Sequence, residues 1–287
     1  MNILITGSNG QLGNEMRVLS KKYDHHTCFF TDIEELDICD EQAVVTYMAD
    51  NRIDIVVNCA AYTAVDHAED NKELSGKLNN IAAGYLARAA QSHKAAIIQI
   101  STDYVFDGTK HTPYTEKDAS CPASVYGATK LAGEENVLKH CEKAVIIRTA
   151  WLYSTYGNNF VKTMIRLGRE RNELGVIFDQ IGTPTYAYDL AQIIYTMIDK
   201  GMVSGIYHFS NEGVCSWYDF AVSIHRLAGI SSCKVNPLHT VDYPAKAARP
   251  HYSVLDKTKI KETYGIEIPH WEKSLEQMIS KINMNKL

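Results

Sequence analysis

A turn built on three glycines constrains the fold of this chain more than any other feature. Gly7-Ser8-Asn9-Gly10-Gln11-Leu12-Gly13 follows the apolar run Ile3-Leu4-Ile5 and opens a helical stretch. A strand, a glycine turn and a helix N-terminus cradle a pyrophosphate, because backbone N–H groups point at it and the helix dipole favours negative charge. The spacing is G-x-x-G-x-x-G, not the G-x-G-x-x-G of the standard dinucleotide fingerprint, so the triplet alone is a weak signal.

A second signal strengthens it. Tyr126 and Lys130 are four residues apart in Tyr-Gly-Ala-Thr-Lys, a spacing that puts both on one face of a helix. Such a pair usually marks only an ordinary amphipathic face. Here it comes after the glycine turn, with Ser101-Thr102-Asp103 ending an apolar strand between them. Together these features describe a nicotinamide-dependent enzyme whose proton donor is a tyrosine.

The surrounding pattern is that of a doubly wound α/β chain. Ile3–Ile5, Cys28–Phe30, Ile53–Val57, Ala96–Ile100 and Ala144–Ile147 read as buried strands. Helices are expected at about 11–22, 40–51, 73–93 and 126–141. Strands alternating with helical stretches imply βαβ crossovers and a parallel Rossmann sheet covered on both faces. After Trp151 the rhythm is irregular, with a helix from Asn159, a strand at Gly175–Phe178, a helix at Asp189–Asp199, a strand at Gly205–Phe209 and a helix at Trp217–Leu227. The expected division is a dinucleotide-binding domain at 1–150 and a smaller, mainly substrate-binding region at 151–287, with some helices returning to the first. No Gly/Ser-rich linker separates them.

At 287 residues the chain has enough interior for a substantial core. A net charge of -5 gives no global reason for nucleic-acid or membrane binding, so an anionic substrate needs a local pocket. Seven scattered cysteines with no C-x-x-C pair argue for reduced thiols and against structural zinc. With a strand beginning at Asn2 and no long apolar stretch, a cytoplasmic protein is expected.

Cofactor contacts are assigned to Gly7, Gly10, Gln11, Leu12 and Gly13, and to Tyr126 and Lys130. Asp32 follows the second strand about twenty residues on, where a carboxylate binds an adenosine ribose hydroxyl and repels a 2′-phosphate. Asp37 and Ile38 are placed beside the adenine. Ala60, Ala61, Tyr62 and Thr63 end the third strand, where small residues let the backbone approach the cofactor. Ser8 and Asn9 offer no cation for a 2′-phosphate, and Arg17 lies a helical turn beyond Gly13. NADH is therefore the expected preference, with NADPH also used.

Four stretches carry a family resemblance: Thr6–Gly13, Asn58–Asp66, Ser101–Gly108 and Val125–Glu134. It continues through Arg148–Trp151, Gly157–Phe160, Asp179–Thr185 and Ala248-Arg249-Pro250. The chain resembles the dTDP-4-dehydrorhamnose reductases, a family of extended short-chain dehydrogenases/reductases. The resemblance implies NADH- or NADPH-dependent reduction of a dTDP-sugar 4-ketone, the last step in making activated rhamnose. It also implies a homodimer in some members, with magnesium at the contact held by a glutamate that Glu15 matches. The second carboxylate position reads Tyr188, beside Asp189, so no metal is assigned.

Ketone reduction needs a hydride donor at the carbonyl carbon and an acid at its oxygen; Tyr126 is the acid. Bringing a phenol from about 10 to near 7 takes roughly 4 kcal/mol of preferential anion stabilisation. Lys130 is the expected source, helped by the nicotinamide charge. Thr102 orients the substrate oxygen. Asp103 binds a sugar hydroxyl and Trp151 offers the deoxysugar a flat face. Arg249 and the Asn158-Asn159-Phe160 turn are candidates for the diphosphate. An epimerase would share the glycine turn, Tyr126 and Lys130 but retain its cofactor. A dehydratase needs an acidic pair after the threonine, where this chain has Asp103-Tyr104. A non-catalytic reading, the regulatory subunit of methionine adenosyltransferase, shares the same branch.

Overall fold

Ile3, Leu4 and Ile5 are fully buried, and the strand they form, β1 (Asn2–Thr6), has parallel neighbours on both sides. The computed structural model describes residues 1–284. Next come α1 (Gln11–Ser20), β2 (Thr27–Thr31), α2 (Glu41–Asp50), β3 (Ile55–Asn58), α3 (Val65–Ala68), α4 (Lys72–Gly76), α5 (Ala82–Ser92), β4 (Ala96–Thr102), α6 (Val125–His140) and β5 (Ala144–Thr149). The chain continues through β6 (Leu152–Tyr153), α7 (Phe160–Glu170), β7 (Glu173–Ile177), β8 (Ile181–Gly182), β9 (Thr185–Tyr186), α8 (Ala187–Lys200) and β10 (Gly205–His208). It ends with β11 (Cys215–Ser216), α9 (Trp217–Leu227), β12 (Lys234–Leu238), α10 (Thr258–Tyr264) and α11 (Trp271–Met284).

The main sheet has the order β10-β5-β4-β3-β1-β2, and every pair is parallel. Alternation along each strand divides its residues between two cores. Ile3, Ile5, Val57, Ile98 and Ile147 pack with Leu12, Met16, Leu190 and Ile194 of α1 and α8. Leu4, Val56, Ile97 and Ile146 pack with Val44, Met48, Leu86 and Val137 of α2, α5 and α6. A sheet covered on both faces needs apolar residues at consecutive positions, which is why these strands read as unbroken runs.

Three details depart from the sequence reading. The helix expected at 73–93 is α4, one π-helical turn at Lys77–Ile81, and α5. Ile53 and Asp54 precede β3; Asp54 instead takes the Asn2 N–H on its carboxylate at 2.7 Å. The returning elements include a strand as well as helices: α8 packs on α1, and β10 completes the main sheet beside β5.

The rest of the second region has its own core, in which Tyr153, Val161, Phe220, Ile224 and Leu275 meet. Small sheets pair β12 with β7, β6 with β9 and β11 with β8. The order of β2, β1 and β3 makes a topological switch point at the carboxyl ends of β1 and β3, where open α/β sheets bind ligands. Among the described residues no helix is long and apolar enough to cross a membrane.

Candidate active site

The glycine turn closes on the switch point because side chains are absent there. Gly7 has φ +61°, and a Cβ on it would lie 2.7 Å from Ala60 Cα. A Cβ on Gly13 would fall 2.5 Å from Ser8 Cα, so the turn packs directly on the start of α1. No side chain caps α1 at Gly10, which leaves first-turn N–H groups for an anion. Gln11 is fastened through its amide, which accepts from Asn159 Nδ2 at 3.0 Å.

Two clefts share this turn. One, of about 330 Å³, is lined by Asp32, Ile33, Leu36, Asp37, Ile38, Ala60 and Leu78, among others. The other, of about 600 Å³, runs past Gln11, Leu12, Thr63, Thr102, Asp103, Tyr126, Lys130, Trp151, Asn158 and Trp217. Gly7, Gly10, Cys59 and Ala61 line both, making one groove along the carboxyl edge of the sheet. Tyr62 does not line it: its N–H and C=O are both held by Asn79 of the π-helical turn, at 2.8 and 3.1 Å.

At the shallow end, Asp32 Oδ2 accepts the Asn9 N–H at 3.0 Å and Oδ1 accepts the Ile33 N–H at 2.9 Å. Arg17 is nearer the turn than its sequence position suggested. It lies over the Phe30 ring at 4.5 Å and donates to Ser8 Oγ at 2.9 Å.

At the deep end, α6 starts at Ser124, whose Oγ accepts the Gly127 N–H. The Tyr126 ring meets Tyr104 edge-on at 5.5 Å. Thr102 Oγ1 donates to Asp103 Oδ1 at 3.0 Å. The Tyr126 phenol is pushed up to about 12 by burial, with the nearby Thr102 hydroxyl acting the other way. Lys130 is pulled down to about 8 by burial, with Glu134 and Cys59 acting the other way. Its Nζ donates to the Ile100 carbonyl at 2.6 Å. The depression of Tyr126 expected from Lys130 is thus absent in the protein alone, because the ammonium is turned to β4. Asp103 is raised from 3.8 to about 6 by burial, against nearby Ser253 and Thr102. Its Oδ2 is buried without a hydrogen-bond partner.

Trp151 lines the cleft at φ +47°, a conformation a bulky residue seldom adopts, costing on the order of 1–3 kcal/mol. It stacks on Trp217, ring centroids 3.6 Å apart and 11° from parallel. A Cβ on Gly182 would meet the Trp151 ring at 2.7 Å. The sequence reading missed Trp217; only its helix start was visible, in the capping box of Ser216 and Asp219. Leu78 and Asn79 were missed as well, being hidden in a stretch expected to be one helix.

Besides Tyr62, two assigned side chains are not brought to the cleft. Asn159 caps α7, accepting the Lys162 N–H and donating to Gln11 and Ser154. Its neighbour Asn158 lines the cleft instead. Arg249 makes two bonds to the Asp66 carboxylate, 3.1 and 2.6 Å, and faces a separate cavity with Gln180, Tyr243 and Lys246. Its guanidinium, expected on a diphosphate, is already paired.

The magnesium implied by the resemblance does not fit the residues present. Glu15 is buried and accepts from Ser154 Oγ at 2.6 Å. The Asp189 carboxylate takes Asn211 Nδ2 at 2.7 Å and Ser274 Oγ at 2.6 Å. Lys281 of α11 donates to Tyr186 OH at 2.9 Å and lies 4.0 Å over the Tyr188 ring. Its charge acts favourably on both carboxylates. Both carboxylates are thus already engaged by hydroxyl and amide donors of the chain itself.

A dinucleotide groove on a doubly wound sheet, ending at a tyrosine, a lysine one turn later and a threonine from the adjacent strand, defines a reductase of the extended short-chain dehydrogenase type. Comparison with known proteins narrows this. The model of the RmlD substrate binding domain family matches residues 1–284. The dTDP-4-dehydrorhamnose reductase of Aggregatibacter actinomycetemcomitans is 41% identical over 286 residues, covering 96% of this chain and 97% of that one. The structure of a dTDP-4-dehydrorhamnose reductase from Clostridium acetobutylicum superposes with TM-score 0.95 at 46% identity, covering 99% of this chain and 100% of that chain. The Bacillus anthracis dTDP-4-dehydrorhamnose reductase, in complex with NADP, gives TM-score 0.94 at 41% identity over 98% of this chain and 99% of that chain. The chain belongs to the RmlD family, that of the dTDP-4-dehydrorhamnose reductases.

Proposed function

We propose that the protein reduces the 4-keto group of dTDP-4-dehydro-β-L-rhamnose to dTDP-β-L-rhamnose, using NADH or NADPH. The observation that carries this reading is the meeting of Thr102, Tyr126 and Lys130 in the cleft that begins at the glycine turn. Bound nicotinamide supplies the hydride; the remaining work falls to side chains. Tyr126 gives its phenolic proton to the ketone oxygen, and Thr102 orients that oxygen from the side. A phenol held near 12 is protonated throughout the physiological range, as an acid must be before reaction. Lys130 then stabilises the phenolate, and its charge grows in value as water is excluded.

Asp103 is assigned to a sugar hydroxyl, which would satisfy its unpartnered Oδ2. Trp151 and Trp217 form the apolar wall against which a deoxysugar rests. Asp32 reads the adenosine ribose and favours NADH; Arg17, bonded to Ser8, is the cation nearest the turn for a 2′-phosphate. A homodimer in this reading would not depend on a magnesium bridge, since Glu15 and Asp189 are already engaged by Ser154, Asn211 and Ser274.

Mixing the purified protein with the keto-sugar nucleotide and either cofactor, and following nicotinamide absorbance, tests the reaction. Tyr126→Phe should lower turnover about 10²–10⁴-fold with little change in cofactor affinity. Near-normal turnover in that variant removes Tyr126 from the mechanism. Tightly retained NAD without net reduction would favour an epimerase, and co-purification with a synthetase would favour a regulatory subunit.

A further inference from the structure

α6 turns one side chain per helical turn toward β4: Tyr126, Lys130 and then Glu134. The third lies beyond the cleft and has no part in the mechanism above. Glu134 is buried, 1% exposed, and paired with Arg148 of β5, 3% exposed. Arg148 Nε reaches both carboxylate oxygens at 2.9 and 3.1 Å, and Nη2 reaches Oε2 at 2.7 Å. Ser101 Oγ donates to the same carboxylate. Ser101 and Arg148 are partners in the β4–β5 register, so one carboxylate ties α6 to two strands.

Packing alone does not call for this arrangement, since a buried ion pair is often no more stabilising than apolar residues of similar volume. Its position supplies a reason. Three consecutive residues at the end of β4 meet α6. The Ile100 carbonyl holds Lys130, the Ser101 hydroxyl holds Glu134, and Thr102 lines the cleft together with Tyr126.

We propose that Ser101, Glu134 and Arg148 form a positioning unit for the Lys130 ammonium. The Glu134 carboxylate keeps that ammonium charged, Arg148 limits the strength of its field, and Ser101 fixes the end of β4 against α6. This rests on the reading of Tyr126 and Lys130 as the acid and its partner. The titratable groups acting on Lys130 are Glu134 on α6 and Cys59 after β3; Tyr126 and Asp103 line the same cleft, and Arg148 of β5 meets Glu134. Among those acting on Lys130, Glu134 is the largest favouring its charged form, ahead of Cys59.

The test is the pH profile of single-turnover nicotinamide oxidation, with NADH and the keto-sugar nucleotide, in wild type, Glu134→Gln, Arg148→Met and the double variant. Glu134→Gln leaves a buried guanidinium unbalanced, so the alkaline limb should move down by about one pH unit. Arg148→Met leaves the carboxylate unbalanced, and the limb should move up. The double variant should return near the wild-type position. A merely structural role would lower rates without moving the limbs in opposite directions, and limbs that stay fixed or move together overturn the proposal. Circular-dichroism melts establish that each variant is folded at the assay temperature. Where a single variant is not, Glu134→Met or Arg148→Gln replaces it. Each removes the same charge, so the limb must move in the same direction as for Glu134→Gln or Arg148→Met, and a limb that stays fixed overturns the proposal. If Tyr126→Phe and Lys130→Met both keep full turnover, the fault lies in the reading of the site and not in this inference.

Discussion

Replacing Asp103 by asparagine should stabilise the protein at neutral pH while impairing its reaction. The carboxyl is buried at the end of β4, and its Oδ2 has no hydrogen-bond partner. Burial raises it from 3.8 to about 6, a shift of roughly two units, or about 3 kcal/mol at 1.36 kcal/mol per unit. The sign follows from proton binding. Between pH 4 and 6 the unfolded chain has lost this proton while the folded protein keeps it. Stability therefore falls as pH rises through that window, and the full cost is present above about 6. Asparagine has no proton to lose. Asp103→Asn should be more stable than wild type by up to about 3 kcal/mol at pH 7, with the gap closing toward pH 4. In melting temperature this is roughly 5–10 °C for a chain of this size. Denaturation of both proteins in steps from pH 4 to 8 measures it; any constant offset from amide packing cancels in the pH dependence. A stability difference that does not change with pH would refute the reasoning, as would one that grows toward acid. Turnover should fall in the same variant, because the group costly to the empty protein is the one assigned to the sugar.

Asp32→Ala should raise the use of NADPH relative to NADH roughly 5–30-fold, one repulsive charge in a partly wet site being worth about 1–2 kcal/mol; an unmoved ratio would mean that Asp32 does not read the ribose. Arg17→Ala should weaken NADPH more than NADH in cofactor titrations, and equal losses would place Arg17 away from the 2′-phosphate. Trp217→Ala and Trp151→Ala should each raise KM for the sugar nucleotide more than they lower kcat, since both remove apolar wall; an unchanged KM in both would put the sugar elsewhere. Dialysis against EDTA should leave the melting temperature unchanged, because Glu15 and Asp189 already take hydrogen bonds from Ser154, Asn211 and Ser274. A melt that falls with EDTA and recovers with magnesium would contradict that account of the two carboxylates.

Local signals carried the first half of the chain. The buried strands of a parallel sheet are short apolar runs, and the glycine turn, Asp32 and the Tyr126–Lys130 pair sit at fixed offsets from them. What could not be read was whatever depends on the way a side chain turns after folding. Asn159 and Asn158 are equivalent as a pair of letters, yet one caps a helix and the other faces the cleft. Arg249 looks like a free anion binder until Asp66, 183 positions away, is folded against it. Trp217 reaches Trp151 only through the second core, and Arg17 reaches Ser8 only because Phe30 supports its guanidinium. The π-helical turn at Lys77–Ile81 has no pattern of its own, since one extra residue in a helix leaves the composition unchanged.

The stacked indoles also make the cleft visible to light. The chain has three tryptophans; Trp271 is buried in the second core, and the other two are Trp151 and Trp217. Two-thirds of the indole chromophores therefore line the cleft to which the sugar nucleotide is assigned in the proposal above. Rings in parallel contact couple their excited states, so a ligand that parts or covers them should change the near-ultraviolet circular dichroism and the emission together. Reduced nicotinamide absorbs where indole emits, which makes the pair an energy donor to a cofactor in the same groove. Occupancy by cofactor and by sugar can thus be followed separately in the unlabelled protein, before any turnover occurs.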